Sequence, residues 1–340
     1  MKNRIIWADS IKGWLMVLVI IGHAIQSVMV DGFSSDHIWN LIYSFHMPAF
    51  MAVSGWLSYR KAESTRILND DVSVFLNYCN RRAQQILVPF FVWSLIAFFH
   101  SGNYSFENLS KIILYPDAYL WFLWVLFWIC VLFKFAQFIA VKLRINDIII
   151  IWGFCFILLL LMVLAEIRIC GFQFIAYYFL FYSIGYGLHK YNFKILSYWL
   201  TLVVLGVVWF LLAWGWNMHE LPSWFPVIPK ISNTLLQYLY RGITALVAII
   251  FILEVSPKFF NGTDRLNSFM AKTGIISLGM YTGHLVFLGH IKDGLIYLYL
   301  GMNVWLTIIL TSVLAFIVAY ILVRLLEKNT YTARVFLGKI

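Results

Sequence analysis

Apolar runs long enough to cross a lipid bilayer recur along almost the whole of this 340-residue chain. A helix needs about 20 predominantly apolar residues to cross the hydrocarbon core. Inside a bilayer every backbone N–H and C=O must be paired within the protein, so repeated runs of this kind fold as spanning helices. The sequence therefore predicts an all-α, polytopic integral membrane protein with about ten transmembrane helices. The candidate spans are residues 13–31, 38–58, 84–100, 118–140, 147–165, 172–188, 196–215, 237–255, 273–291 and 301–323.

The distribution of positive charge along the chain indicates its orientation in the membrane rather than a nucleic-acid partner. Only 12% of the residues are charged, yet the net charge is +10. If the N-terminus is cytoplasmic, the inner connecting segments hold most of the Lys and Arg residues. The outer segments then hold Lys111, Arg168, Lys230, Arg241 and Lys292. This asymmetry follows the positive-inside rule and places both termini in the cytoplasm of a multi-pass protein.

No stretch of the chain is polar and long enough to form a soluble domain. We therefore expect one integral-membrane domain over residues 1–340, with a core at about 9–325 and a short cytoplasmic tail at 326–340. The first span resembles a signal peptide in its basic start, but the polar residues inside it favour a retained helix. The four cysteines have no short-range pairing motif, so neither a disulfide framework nor a metal site is expected.

The first span carries ionisable residues that a bilayer does not tolerate without a reason. Asp9 and Lys12 lie at its mouth and His23 lies deep inside it. Lys12 and His23 are separated by about three helical turns, or roughly 16 Å, so they share nearly one face. Intramembrane ionisable groups usually face a polar cavity and serve a function. The alternative is a snorkelling lysine and a histidine that is hydrogen-bonded to a neighbouring helix.

Two connecting segments contain residues suited to ligands. The inner segment 59–83 ends with Arg81 and Arg82, and guanidinium groups suit bidentate contacts with phosphate. The same arginines can also act only as topology anchors. The outer segment 216–236 combines Trp216 and Trp224 with polar residues, which suits stacking on sugar rings but is also typical of an interfacial aromatic belt.

Six blocks occur in order between residues 9 and 284, and together they resemble the acyltransferase 3 family of bacterial integral-membrane O-acyltransferases, within it the fucose 4-O-acetylase-like branch. The blocks are Asp9-x-x-Lys12-Gly13 with Gly22-His23; Phe45-His46-Met47-Pro48-Ala49-Phe50 with Ser54-Gly55-Trp56-Leu57; Arg81-Arg82 with Pro89-Phe90; Leu120-Trp121-Phe122-Leu123; Phe181-Tyr182-Ser183-Ile184-Gly185-Tyr186; and Gly274-x-x-Ser277-Leu278-Gly279-Met280-Tyr281-Thr282-Gly283-His284.

The resemblance implies that a ten-span core carries acyl groups from cytoplasmic acyl-CoA to an acceptor outside the cytoplasm, often a sugar. Two positions depart from the pattern. Many members have Arg where this chain has Lys12, and a second basic residue where it has Gln85. Lysine holds phosphate as a point charge and not as a fork, so the anion contacts are expected to be shared differently here.

O-acyl transfer requires a base for the acceptor hydroxyl and a group that polarises the thioester carbonyl. His23 is the expected base, because apolar surroundings favour a neutral imidazole. His46, His284 and Tyr281 are further catalytic candidates, although helix packing explains the two histidines about as well. Lys12 and Arg82 are expected to bind the phosphates of acyl-CoA, with Arg81 as a weaker candidate.

Two acidic residues can be explained by structural roles alone. Asp9 can orient Lys12 or bind the adenosine side of the donor. It is also an acidic residue at the start of a helix, where its negative charge interacts favourably with the helix dipole. Glu327 follows the last span and is expected to form an ion pair with Arg324 at the cytoplasmic surface.

The predicted function is an acetyl-CoA-dependent O-acetyltransferase of the bacterial inner membrane, acting on a cell-surface or lipid-linked glycan. Acetyl-CoA is a donor substrate, and no metal is expected. The alternative is a glycan exporter that uses His23, His46 and His284 as a proton relay. The sequence leaves open the acceptor hydroxyl, the identity of the acyl group, a covalent acyl-histidine intermediate and the oligomeric state.

Overall fold

A computed structural model describes residues 4–59, 72–102, 104–118, 120–165, 167–192, 199–226, 232–262, 264–298 and 303–339. All regular structure in these ranges is helical, which confirms the predicted all-α class. The helices are α1 (Ile6–Val28), α2 (His37–Tyr43), α3 (His46–Ser58), α4 (Val72–Arg82), α5 (Val88–His100), α6 (Phe106–Leu114), α7 (Trp121–Leu143), α8 (Asp147–Ala165), α9 (Phe172–Lys190), α10 (Trp199–Trp214), α11 (Asn233–Phe259), α12 (Arg265–Ile275), α13 (Ser277–Leu298), α14 (Val304–Leu326) and α15 (Thr330–Leu337).

In the described residues, seven helical stretches are long and apolar enough to cross a membrane. The chain is therefore a polytopic membrane protein, as predicted. The seven stretches are Ile6–Val28, Val72–His100, Trp121–Leu143, Asp147–Ala165, Ile169–Lys190, Asn233–Phe259 and Val304–Leu326.

The three remaining predicted spans have less regular structures. The run at 273–291 falls on α12 and α13, which are bent by 81° at the break between them. The run at 196–215 forms the 16-residue helix α10, and the run at 38–58 is broken between α2 and α3. With the bent pair counted as one span, the described total is eight, so the number ten stays a prediction.

Two compact units make up the chain. The first contains Met1–Val53 and Lys194–Leu322, and the second contains Ser54–Phe193 and Val323–Ile340. Helices α3 and α14 each run across the division.

In the first unit, α1 and α12 approach each other so closely that their backbones touch. A Cβ atom on Gly274 would lie 1.7 Å from the Asp9 carbonyl oxygen, and one on Gly13 would lie 2.1 Å from that of Met270. Side chains extend the contact, because the Trp14 indole N–H donates to the Asn267 side-chain oxygen over 3.1 Å. Small residues allow this kind of close helix packing in membranes, where dispersion replaces the hydrophobic effect.

The bend after α12 redirects the chain across α1. Asp264 caps the start of α12 by accepting a hydrogen bond of 2.8 Å from the Asn267 N–H. After Ile276, helix α13 turns away by 81° and also packs on α1. The sixth sequence block therefore lies on two helices of different direction, and its histidine belongs to the second.

The second unit is built around aromatic side chains from α7 and α9. The Phe133 ring lies 5.0 Å from the Tyr182 ring and 4.8 Å from the Tyr186 ring, centroid to centroid. Gly55 of α3 packs directly on this layer, because a Cβ there would lie 1.9 Å from the Tyr182 carbonyl oxygen.

A π-helical turn, Ala83–Leu87, joins α4 to α5. The C-terminal helix α15 packs on α5, and the Trp93 indole N–H donates to the Phe336 carbonyl over 2.9 Å. Gly338 then closes onto the π turn with a φ of +63°, where a Cβ would lie 2.0 Å from the Gln85 carbonyl oxygen. Most of the expected tail is thus helical and docked on the second unit.

The expected pairing of Glu327 is present. Its carboxylate accepts from Arg324 over 2.8 Å and also pairs with Lys339. Partial burial raises the pKa of Glu327, but these two cations more than offset it and hold the pKa below its ordinary value. The pair of contacts ties the end of α14 to the last residues of the chain.

The contact between α1 and α12 yields a stability prediction. We expect Gly274→Ala to force the two backbones apart and to lower the free energy of unfolding by about 1–3 kcal/mol, as overpacking does. The measurement is the thermal unfolding midpoint of the purified protein in one fixed detergent.

Gly289→Ala is the matched control, because a Cβ at Gly289 of α13 meets nothing within 4 Å. In open space, alanine is the better helix former by about 1 kcal/mol, so this variant keeps or raises the midpoint. An unchanged midpoint for Gly274→Ala would contradict the close packing.

Candidate functional site

Two histidines predicted as catalytic candidates lie side by side in the first unit. The ring centroids of His23 on α1 and His284 on α13 are 5.4 Å apart, and the rings are inclined by 44°. His284 is completely buried, and His23 is partly buried. The pair brings together two residues that are separated by most of the chain.

The hydrogen bonds of His284 define its tautomer. Its Nδ1 lies 3.0 Å from the Met280 carbonyl oxygen, which can only accept, so Nδ1 carries the proton. In the neutral ring Nε2 is then an acceptor, and this buried atom has no hydrogen-bond partner among the described residues. The Tyr281 ring lies 5.9 Å from the His284 ring, on the same turn of α13. His284 therefore offers a lone pair inside the protein.

His46 approaches the pair from the start of α3. It is 2% exposed, and its Nδ1 donates to the Ile42 carbonyl oxygen over 2.7 Å. It lies within electrostatic reach of His23, and its ring meets the edge of the Tyr43 ring at 4.6 Å. The first unit thus gathers all four residues predicted to be catalytic around α1.

Sequence reasoning missed Gln26 and Tyr43, which connect these histidines. Gln26 follows His23 by one turn of α1, and its side chain lies close to the His23 ring. The Tyr43 hydroxyl donates to the Gln26 side-chain oxygen over 2.8 Å. Gly22 makes room for this tyrosine, because a Cβ there would lie 2.7 Å from Tyr43 Cε2. The i, i+3 spacing of His23 and Gln26 was the available signal.

The residues predicted to bind the donor are divided between the two units. Lys12 and Asp9 lie on α1 in the first unit, and the side chain of Lys12 is half-buried. Asp9 lies in the first turn of α1, is 15% exposed and pairs with Arg4 over 3.5 Å. Its position in the first turn is the one expected if Asp9 is an acidic residue at a helix start. Helix α1 is continuous from Lys12 to His23, so the predicted shared stripe exists.

In the second unit, Arg82 lies at the end of α4, next to the π turn. Its guanidinium donates to the Gln85 side-chain oxygen over 3.2 Å and stands 5.3 Å from the centroid of the Tyr78 ring. The Lys134 ammonium lies 5.6 Å from the same ring, so two cations share one aromatic surface. Arg81 is exposed, which fits its weaker ranking. Lys134 was not predicted, and π turns are frequent at functional sites.

The described residues contain no group of three or more His, Cys, Asp or Glu side chains that could hold a metal ion.

The fold and the site define the class of protein. It is a polytopic helical membrane protein with clustered intramembrane imidazoles. The family profile described as an acyltransferase domain matches residues 5–324. The chain belongs to the acyltransferase 3 family, which confirms the resemblance carried by the six sequence blocks.

Two curated relatives share part of the chain. Nodulation protein NolL of Sinorhizobium fredii is 36% identical over 133 residues, which cover 36% of this chain and 34% of that protein. Nodulation protein NolL of Mesorhizobium japonicum is 34% identical over 137 residues, or 37% of this chain and 34% of that protein. The match thus spans about a third of each relative's length. No solved structure matches this chain.

Proposed function

We propose that this protein is a bacterial inner-membrane O-acyltransferase that moves an acyl group, in the simplest case acetyl, from cytoplasmic acyl-CoA to a hydroxyl of a cell-surface or lipid-linked glycan. The observation that carries the proposal is the pair of neighbouring imidazoles, His23 and His284, with Gln26 beside His23, inside a helical unit of an acyltransferase 3 chain. This family match favours an enzyme over the glycan exporter. The whole of residues 1–340 forms the catalytic unit.

His23 acts as the general base. Its free nitrogen takes the proton of the acceptor hydroxyl while the hydroxyl oxygen attacks the thioester carbonyl carbon. A tetrahedral oxyanion forms, and the carbon–sulfur bond then breaks. The leaving thiolate takes up the proton that His23 carries, so the products are the O-acyl glycan and free CoA. A neutral imidazole has one free ring nitrogen that can accept this proton.

Gln26 fixes which nitrogen of His23 is free. Its carbonyl oxygen has two lone pairs and accepts from the Tyr43 hydroxyl, leaving one lone pair for a ring N–H of His23. The other ring nitrogen then keeps its lone pair for the substrate. This is the logic of a base oriented by a third group, as in other nucleophile–base arrangements.

The remaining residues surround this base. The buried lone pair of His284 Nε2 can accept from His23 once His23 is protonated, which stabilises the imidazolium next to it. Tyr281 can donate to the thioester oxygen, and His46 supports the Tyr43 ring. On the donor side, Lys12 and Arg82 bind phosphate groups of acyl-CoA. Arg81 adds long-range attraction, and Asp9 positions the start of α1.

We predict that His23→Ala lowers kcat for acyl transfer by at least about 100-fold, since general-base catalysis contributes 10²–10⁴-fold. Gln26→Leu lowers kcat with little change in either KM, because the base loses its orientation and the substrates keep their contacts. Gln26→Glu restores most of the rate, because a carboxylate oxygen accepts the same ring proton. The measurement is steady-state transfer of labelled acetyl from acetyl-CoA by purified protein.

His290→Ala is the control, because His290 is an exposed histidine on the same helix as His284. It should keep the wild-type rate. Near-normal turnover by purified, folded His23→Ala would disprove His23 as the base. Equal losses in Gln26→Leu and Gln26→Glu would show that Gln26 does not act through a hydrogen bond to His23.

The donor side gives a separate prediction. Lys12→Ala and Arg82→Ala should each raise the KM for acetyl-CoA by about 10- to 100-fold, the value of one charged hydrogen bond. The KM for the acceptor should change much less. Lys12→Arg should keep substantial activity, because the charge is preserved.

The control here is Lys142→Ala, which removes an exposed cation from the last turn of α7. It should leave the donor KM unchanged. If calorimetry found wild-type affinity for CoA in Lys12→Ala, Lys12 would be a topology anchor only.

A further inference from the structure

A cluster of aromatic and cationic side chains in the first unit has no role in the acyl-transfer steps proposed above. It consists of Trp39 and Asn40 on α2, Trp216 in the segment after α10, and Arg241 on α11, and we refer to it as the outer cluster. The Trp39 and Trp216 ring centroids are 6.3 Å apart. The Arg241 guanidinium carbon lies 5.4 Å from the centroid of the Trp216 ring.

The polar atoms of this cluster are buried but unpaired. Trp39 is 0% exposed and Trp216 is 3% exposed. Their two indole N–H groups, the Nε of Arg241 and the side-chain oxygen of Asn40 have no hydrogen-bond partner within the described ranges. The Tyr43 ring stacks on the Trp39 ring, and the Tyr43 hydroxyl donates to Gln26.

Four such atoms in one place call for a ligand. An unsatisfied buried polar group costs about 1–3 kcal/mol, so native structures contain few of them. Phenylalanine at either tryptophan position would give similar packing without that cost. An ordinary interfacial belt does not account for them either, because belt residues keep their polar ends in water.

The charge of the cluster indicates the ligand's chemistry. Three of the four atoms are donors, and one of them belongs to a permanently charged guanidinium. In the described part of the chain, no carboxylate forms an ion pair with Arg241, whose recorded contacts are the faces of Trp216 and Tyr238. Unpaired N–H donors with a positive charge fit an oxyanion, and the Asn40 oxygen fits a hydroxyl group.

Aromatic contacts join the outer cluster to the proposed base. The Trp39 ring stacks on the Tyr43 ring at 3.9 Å, and Tyr43 donates to Gln26, which is within reach of His23. An acceptor bound at the cluster would therefore be connected to the proposed base through Tyr43 and Gln26. The predicted topology places the ends of α1, α2, α10 and α11 that surround the cluster on the outer side.

We propose that the outer cluster binds an oxyanion carried by the acceptor glycan, a carboxylate or a phosphate, and thereby makes acidic glycans the preferred acceptors. This inference rests on the proposed function, because the bound glycan is an acceptor only if the protein transfers acyl groups. The binding itself does not require acyl transfer. The Trp39 and Trp216 indoles supply N–H groups for the oxyanion, and Arg241 supplies the charge.

The test measures sugar binding by the full-length protein in the absence of any acyl donor. Saturation-transfer NMR gives dissociation constants for three matched probes: galactose, galacturonic acid and galactose 1-phosphate. We expect wild-type protein to bind at least one of the charged sugars about 10-fold more tightly than galactose, the value of one charge-assisted hydrogen bond. Preference for galacturonic acid would identify a carboxylate, and preference for galactose 1-phosphate would identify a phosphate.

Arg241→Gln should abolish the preference, and Trp216→Phe should weaken it by several-fold while retaining the ring. Arg168→Gln is the matched control. It removes another cation predicted to lie outside, one that is exposed and belongs to the second unit. It should leave binding unchanged.

Equal binding of all three sugars by the wild-type protein would overturn the inference. Equal loss of preference in Arg241→Gln and Arg168→Gln would also overturn it, because the effect would then be general electrostatic attraction. The proposed function fails differently: acetyl-CoA would not be consumed with any of the sugars, even if the binding preference were present.

Discussion

The contact between α1 and α12 is the constraint on which the rest of the first unit depends. Two glycines, Gly13 and Gly274, let the backbones of these helices touch, and no larger residue fits at either position. Because α12 continues into α13 through a bend of 81°, the contact also fixes where α13 meets α1. The pairing of His23 with His284 is therefore a consequence of a packing contact between glycines elsewhere on the same helices.

Burial gives the imidazoles their chemical character. Charged groups are expensive inside a membrane protein, so His46 and His284 are held as neutral rings whose Nδ1 protons are committed to backbone carbonyls. His23 differs, since the residue is only partly buried and the Gln26 side chain lies beside its ring. The three histidines thus divide into two rings held by backbone carbonyls and one ring beside a side-chain amide, which is an arrangement that suits a single general base.

Much of the fold and part of the site could be predicted from the sequence. The apolar runs predicted the helices, and the spacing of Lys12 and His23 predicted their shared stripe on α1. The breaks in the runs at 38–58 and 273–291 could not be predicted, because hydropathy reports how apolar a run is and not where its helix bends. The sequence shows that Gln26 lies one turn after His23. Its partner Tyr43 comes from another helix, and only tertiary packing brings the two together.

The second unit shows the same limit. Arg82 was identified as a cation at the inner end of a span, and Tyr78 lies one turn before it on α4, but Lys134 at the same ring comes from α7. The docking of α15 on the π turn likewise depends on Gly338, whose left-handed backbone is not visible in the hydropathy pattern. Periodicity identifies which residues share one helix, whereas contacts between helices depend on shape.

The central claim is that the acyl group passes from a cytoplasmic donor to an acceptor on the other side of the membrane. The stripe from Lys12 to His23 covers roughly 16 Å of a hydrocarbon core of about 30 Å, so a donor bound at the inner mouth can present its thioester near mid-membrane. The direct measurement is acetyl transfer in sealed vesicles of both orientations, with labelled acetyl-CoA added outside. Inside-out vesicles should use the added acetyl-CoA and modify a lumenal glycan acceptor, and right-side-out vesicles should use it poorly. Equal use by both orientations, or modification of cytoplasmic acceptors alone, would contradict transfer across the membrane.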